Sequence, residues 1–218
     1  MLTEHVRDVE RHRSSRLEGV FESFSAVRTV PRLFVQDGFA SADEVAHVLA
    51  ITSDLAEWSA KGEYVKSDFT GTSFELPVAQ DATVRSLTER TYELLGVRNR
   101  VDSSVRFRRY APGEWHPAHM DIYEIDGFHL VATAMITLQG PDEGGETDFP
   151  LASPAVTVPA RTGRLAMWLN LLPDGADDPF SSHASLPVEV GDKVTITNFI
   201  YADPACGLVR RGPAILAG

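Results

Sequence analysis

Hydrophobic and polar residues follow two successive textures along the chain. Over residues 1–25, Leu2, Val6, Val9, Leu17, Val20, Phe21 and Phe24 recur at close to helical spacing, with a break at Arg13. The stripe predicts an amphipathic helix packed against the main body or a second subunit. Residues 31–39 (PRLFVQDGF) read as a short strand and turn. SADE at 41–44 is a capping box: serine and glutamate can each satisfy a free backbone N–H at a helix start. The helix it opens carries Val45, Val48, Leu49, Ile51, Leu55 and Trp58 on its apolar face. A second helix is predicted from about Ala82 to Leu95, with Gly96 placed to end it. Between them, residues 61–78 are rich in Gly, Ser and Thr and read as loop with short strand pieces.

After Val101 the period shortens. β-rich runs occur at 104–110, 130–138, 155–158, 163–170, 186–190 and 193–201, separated by Gly, Pro and Asp turns. Such runs predict a β-sandwich or barrel rather than alternating βαβ units. The expected fold is mainly β with flanking helices, forming one domain over 1–218. Residues 1–100 would be mainly helical support, 101–203 the barrel and 204–218 a C-terminal tail.

Composition narrows the partners. The 43% hydrophobic content is that of a globular chain. The net charge of −11 makes phosphate backbones and anionic lipid surfaces poor partners, so neither nucleic acid nor membrane is expected. A single cysteine, Cys206, excludes an intrachain disulfide and a cysteine-rich zinc cluster. The first twenty residues are too charged for a signal-peptide core, and no apolar run reaches the roughly 18 residues that span a bilayer. The expectation is a soluble, cytoplasmic protein.

The polar residues suggest chemistry. In an extended segment His119 and Asp121 point to the same face while Met120 turns away. A third ligand must come from elsewhere, and His183 lies at the edge of a later β-run. Two imidazoles and one carboxylate on one face of an octahedron form the facial triad of non-haem iron oxygenases. An H-x-D pair alone is also what a solvated surface loop would carry. His116 lacks a same-face partner and reads as a structural or outer-shell residue. In the run at 193–201, alternation puts Lys193, Thr195, Thr197, Phe199 and Tyr201 on one face. Turned inward, that face buries an ammonium that needs an anion, and a ligand carboxylate would serve. Turned outward, it is simply hydrated. Arg106 and Arg108 are expected to be exposed and solvated, the alternative being contact with a substrate carboxylate.

Three segments carry a family resemblance: RYAPGEWHPAHMD, ATAMITLQGPDEGGETDFP and LLPDGADDPFSSHASLPVEVGDKVTITNF. Across about residues 101–201 the chain resembles the prolyl 4-hydroxylase-like branch of the Fe(II)/2-oxoglutarate-dependent dioxygenases. The resemblance implies a double-stranded β-helix (a jelly roll, or cupin-like barrel) preceded by N-terminal helices. It implies iron held by His119, Asp121 and His183, which would also be the catalytic residues. It implies Lys193 on the distal carboxylate of 2-oxoglutarate, with Tyr110 on the same group and Thr147, Thr137 and Thr197 lining that pocket. The cofactors implied are Fe(II), 2-oxoglutarate as cosubstrate and O2, with ascorbate as a stimulant. Because Asp121 is retained where related halogenases lose the carboxylate, hydroxylation is expected.

Two positions depart from the family: Leu130 stands where an arginine is common, and Phe199 where a tryptophan is common. Both bear on substrate choice rather than on iron. With no separate peptide-binding domain in view, a small molecule is the expected substrate, such as a free amino acid or natural-product intermediate. A prolyl residue in a peptide is the alternative. Two rivals come from other classes. One is a non-catalytic metal- or 2-oxoglutarate-binding barrel. The other is a metal hydrolase or isomerase, which needs a base near the metal, with Glu114 and His116 the nearest candidates.

Overall fold

The capping box predicted at Ser41 forms in full. In a computed structural model of the chain, the Ser41 hydroxyl accepts from the Glu44 N–H at 3.3 Å, and the Ser41 N–H donates to the Glu44 carboxylate at 2.8 Å. The structure describes residues 24–29, 32–53, 71–97, 99, 104–152, 156–172 and 174–203. The helix α1 opened by this box spans Ala42–Thr52. Val45 and Val48 are buried on it while Ile51, expected on the apolar face, is exposed; Leu55 and Trp58 lie outside the described residues. The helix predicted over 1–25 also lies outside them, except that its last two residues fall in strand β1 (Phe24–Thr29).

Strand β2 (Arg32–Gln36) and the turn after it match the reading of 31–39. Strand β3 (Thr72–Pro77) is the strand piece expected within 61–78. Helix α2 (Ala82–Leu95) begins at Asp81, whose carboxylate accepts from the Thr83 and Val84 N–H groups at 2.9 Å each. It ends at Gly96, which adopts φ 66° and donates to the Glu93 carbonyl. The Arg90 guanidinium on α2 pairs with Glu44 at 3.0 Å and ties the two helices together.

The remaining strands follow in order: β4 (Ser104–Tyr110), β5 (His116–His119), β6 (Glu124–Ile125), β7 (Phe128–Gln139) and β8 (Glu143–Gly144). Then come β9 (Thr147–Phe149), β10 (Val156–Val158), β11 (Leu165–Leu169), β12 (His183–Ser185), β13 (Val188–Val190) and β14 (Lys193–Ala202). Each predicted β-run contains a strand. The short strands β5, β6, β8, β9 and β12 carry too little period-two alternation to be read alone.

An eight-stranded sheet has the order β1-β2-β11-β7-β14-β4-β3, with β6 on β7; a four-stranded sheet has the order β10-β9-β12-β5. Among the described residues, the strand pairings within both sheets are antiparallel. The described residues among the first hundred therefore contribute three strands to the main sheet as well as helices α1 and α2. The architecture is the double-stranded β-helix that the resemblance implied. One face of the large sheet packs Val194, Ile196, Ile200 and Leu165 against Val45, Val48, Val84 and Leu87 of the helices. A smaller apolar cluster of Leu33, Val35, Phe149, Val158 and Trp168 joins the two sheets. Beside it, between the sheets, lies a cavity lined by polar residues of both.

Candidate metal centre and cosubstrate pocket

Pairing of two short strands creates the cluster at the cavity. β12 runs antiparallel to β5 with His183 opposite His119 and Ser185 opposite His116. His183 and His119 thereby share one sheet face, and their ring centroids lie 4.4 Å apart. Asp121 follows two residues after His119 and is buried beside them. One ligand atom from each of His119, Asp121 and His183 falls within 4.8 Å of the others.

The histidine tautomers suit a metal. His119 Nδ1 lies 2.9 Å from the Pro117 carbonyl, and His183 Nδ1 lies 3.0 Å from the Ser181 carbonyl. A carbonyl can only accept, so both Nδ1 atoms carry the proton and both Nε2 lone pairs are left bare. Those Nε2 atoms face Asp121 oxygens at 3.5 and 3.7 Å. Burial, outweighing the attraction of Asp121, brings His183 down to about 4, so it is neutral at pH 7. Burial would raise the Asp121 carboxyl, but the His183 and His119 rings and the Thr133 hydroxyl outweigh it and hold it below the usual carboxylate range. Two neutral imidazoles and an ionised carboxylate make a donor set that fits divalent iron.

A chain of side chains holds Asp121. The Asn170 amide donates to the Thr133 hydroxyl at 2.9 Å, which leaves the hydroxyl proton to donate to Asp121 at 2.9 Å. Trp168 and Phe149 close the apolar side of His183, with ring centroids 4.5 and 5.8 Å away. The His116 ring lies tilted against that of His119, with centroids 4.1 Å apart, and lines the cavity, yet His116 lies outside the ligand cluster. Burial brings it down to about 3. Glu114 accepts from the Ala111 N–H at 2.7 Å and does not line the cavity.

The opposite end of the cavity is cationic. β14 turns the face bearing Lys193, Thr195, Thr197 and Phe199 inward, and Lys193 is only 1% exposed, so the hydrated reading is excluded. Its ammonium donates to the Ser185 hydroxyl at 2.9 Å, lies 3.5 Å from the Thr147 hydroxyl and stands 5.4 Å from the centre of the Tyr110 ring. Burial, reinforced by Arg108 and opposed by Glu146, brings it down to about 7. Burial likewise pushes the Tyr110 phenol up, against contacts with Arg108 and Ser185. Two glycines allow the approach of the GGET turn. A Cβ on Gly144 (φ 77°) would lie 2.5 Å from the Pro187 carbonyl oxygen, and one on Gly145 (φ 71°) would meet Pro141 and Val188.

Tyr110, Thr147, Thr197 and Lys193 thus share one cavity with the metal cluster. Thr137 is buried beside Thr195 on β7 and does not line it; Thr133 and Met135 of that strand do. Tyr201 follows a register shift against β7 and also stays outside the lining. The exposure expected of two arginines is corrected. Arg106 is half-buried and pairs with Glu75, because β3 covers that edge; Arg108 is half-buried and lines the cavity. Sequence reasoning missed Ser185 and placed Arg108 wrongly. Both stand two residues from a recognised position, His183 and Tyr110, so strand alternation was the available signal. Asn170 and Trp168 had no comparable signal.

A facial-triad donor set in a jelly-roll cavity with a buried lysine defines the class of iron oxygenases fuelled by a dicarboxylic keto acid. No protein-family model matches the chain. Among curated proteins it is 28% identical to prolyl 4-hydroxylase 2 of Arabidopsis thaliana over 209 residues, covering 81% of this chain and 69% of that one. Among solved structures it resembles the viral collagen prolyl hydroxylase of Paramecium bursaria Chlorella virus-1 in its 2-oxoglutarate complex, with TM-score 0.62 and 23% identity over 78% of this chain and 96% of that one. A Trichoplax adhaerens prolyl hydroxylase, solved with a peptide fragment of hypoxia inducible factor, gives TM-score 0.56 and 15% identity over 92% and 93%. The two structural likenesses are likenesses of fold. The sequence relatives, together with the donor set of the site, support the prolyl 4-hydroxylase-like branch of the Fe(II)/2-oxoglutarate-dependent dioxygenases, a group that uses Fe(II), 2-oxoglutarate and O2.

Proposed function

We propose that the enzyme hydroxylates a prolyl residue within a peptide or protein. The observation that carries this reading is the sequence relationship: four relatives at 26–28% identity over 78–84% of the chain are prolyl 4-hydroxylases or probable ones. The viral neighbour is named for collagen, and the Trichoplax enzyme binds a peptide. The surface is compatible. Trp115, Ile122 and Tyr123 bracket the ligand run 116–121 and are each exposed, and Tyr123 touches Phe199 of the cavity wall at 6.2 Å between centroids. This favours the peptide over the free amino acid or natural-product intermediate that chain length alone suggested.

In this reading His119, Asp121 and His183 hold iron. Lys193 takes the distal carboxylate of 2-oxoglutarate, with Ser185, Thr147 and Tyr110 supplying hydroxyls around it. When bound, the iron and cosubstrate supply an oxidation in which 2-oxoglutarate and O2 become succinate and CO2 while one oxygen atom enters a substrate C–H bond. The chain's own part is orientation and exclusion of water. Asn170 and Thr133 fix the Asp121 carboxylate; Phe149 and Trp168 keep the His183 side dry; Lys193 sets the cosubstrate's register along the cavity.

The test is anaerobic purification, addition of Fe(II) and 2-oxoglutarate, then admission of air with proline-containing peptides or free amino acids. Succinate release stimulated by a peptide, with one oxygen gained on proline by mass spectrometry, supports the reading. Stimulation by free amino acids alone would return the substrate to the small-molecule class. Iron and 2-oxoglutarate binding without succinate would leave a sensor.

A further inference from the structure

Asp121 turns both carboxylate oxygens toward the gap between the two imidazoles. Oδ1 lies 3.5 Å from His119 Nε2, and Oδ2 lies 3.7 Å from His183 Nε2. A carboxylate can hold a cation through one oxygen or chelate it through both. That choice decides how much of the metal is left for chemistry. An octahedral ion has six positions, and three single-atom protein ligands leave three open. A 2-keto acid offers its keto oxygen and an adjacent carboxylate oxygen and fills two of them, and O2 needs the last. A chelating Asp121 would close one.

The two oxygens differ in one respect. Oδ2 accepts the Thr133 hydroxyl at 2.9 Å, whereas among the described residues no donor is bonded to Oδ1. The Asn170 amide donates to the Thr133 hydroxyl oxygen at 2.9 Å, so the single hydroxyl proton is directed at Asp121. Asn170 is itself fixed at both ends of its backbone. Its N–H donates to the Val131 carbonyl at 3.0 Å, and its carbonyl accepts from the Asp178 N–H at 2.8 Å. Asp178 in turn caps the 3-10 turn Pro179–Ser181, whose last carbonyl meets His183 Nδ1. Asn170 therefore braces two of the ligands, Asp121 through its side chain and His183 through its main chain. Thr133, Asn170 and Asp121 are all buried, so water does not take the place of the hydroxyl.

We infer that Thr133, aimed by Asn170, is a positioning residue that makes Asp121 a one-oxygen ligand and keeps the third open position of the metal free. The inference rests on the metal centre of the reading above and not on which substrate is taken. The hydrogen bond occupies a lone pair of Oδ2 and draws charge from it, which leaves Oδ1 the better donor to a cation. Without it, nothing distinguishes two oxygens that face the same gap.

The experiment uses the full-length protein loaded with Mn(II) in the absence of oxygen, unmodified and as Thr133→Val and Thr133→Ser. Thr133→Val keeps the branched shape and removes the donor; Thr133→Ser keeps the donor. Calorimetry gives the Mn(II) Kd, and water-proton relaxation at saturating protein then counts the waters exchanging at the ion. Thr133→Val is expected to lower the relaxivity by about one third, one water of three, while Thr133→Ser matches the unmodified protein. A crystal structure of the unmodified Mn(II) complex should show the ion on Oδ1 and Thr133 still on Oδ2, and it decides the matter if Thr133→Val does not fold. An unchanged relaxivity in folded Thr133→Val overturns the inference and leaves the metal centre standing. An equal loss in Thr133→Ser overturns it too, because packing rather than the hydroxyl would then be responsible. So does an ion held by Oδ2 or by both oxygens in the crystal. Failure of the unmodified protein to bind Mn(II) overturns the metal centre itself, and this inference with it.

Discussion

On one face of β14, Val194, Ile196 and Ile200 pack beneath the two helices; on the other, Lys193, Thr195 and Thr197 line the cavity. Both sets are almost fully buried, so burial does not distinguish them. Their energetics do. Each apolar side chain removed from water contributes about 1.5–3 kcal/mol, whereas an ammonium under the same cover is destabilised until an anion arrives. The depressed proton affinity of Lys193 records that penalty. One strand therefore carries a face that stabilises the fold and a face that spends stability on holding a ligand site open. The helices α1 and α2, remote from the cavity, offset the cost of the polar face.

The largest effect expected from breaking this division is at Asp121. Asp121→Asn should reduce Mn(II) affinity, measured by calorimetry, by more than the roughly 10–100-fold typical of losing an outer-shell partner. An unchanged metal affinity would remove Asp121 from the ligand set. Next, Ile196→Ala on the apolar face should lower unfolding free energy by about 2–5 kcal/mol in urea titration. The folded fraction should bind 2-oxoglutarate as before. Lys193→Met is the mirror image. It should weaken 2-oxoglutarate by roughly 10–150-fold, the range of a hydrogen bond to a charged group. Its melting temperature should stay level or rise, since a buried cation is gone. A large fall in melting temperature would make Lys193 a structural residue.

The smallest effect is graded with pH. Lys193 has its folded-state value lowered from 10.5 to about 7. Between those values the unfolded chain binds more protons, so the ligand-free protein should gain stability as pH rises through that window. Binding of 2-oxoglutarate requires the ammonium, so its affinity should fall by about tenfold per pH unit above 7. A slope that persists in Lys193→Met would assign the titration elsewhere.

Long elements with a single period were legible. The SADE box, Gly96 and the alternation of 193–199 each express a local rule, and each appears in the structure as read; the register shift after Ile200 takes Tyr201 out of the pattern. Within the triad, His119 and Asp121 were legible as a pair because they stand two residues apart, whereas His183, on a separate strand, was assigned through the family resemblance. Arg108 was misread because alternation says which residues share a face but not whether another sheet covers that face.

The order of residues in this chain determined the helix caps, the strand periods and the types of ligand available, since these depend on neighbours within a few positions. Only the folded arrangement set His183 opposite His119, supplied Asn170 and Thr133 behind Asp121, and brought the Arg108 guanidinium into the field of Lys193. Those relations join strands far apart in the chain, where cross-strand register and the cover of a second sheet fix distance and dielectric together.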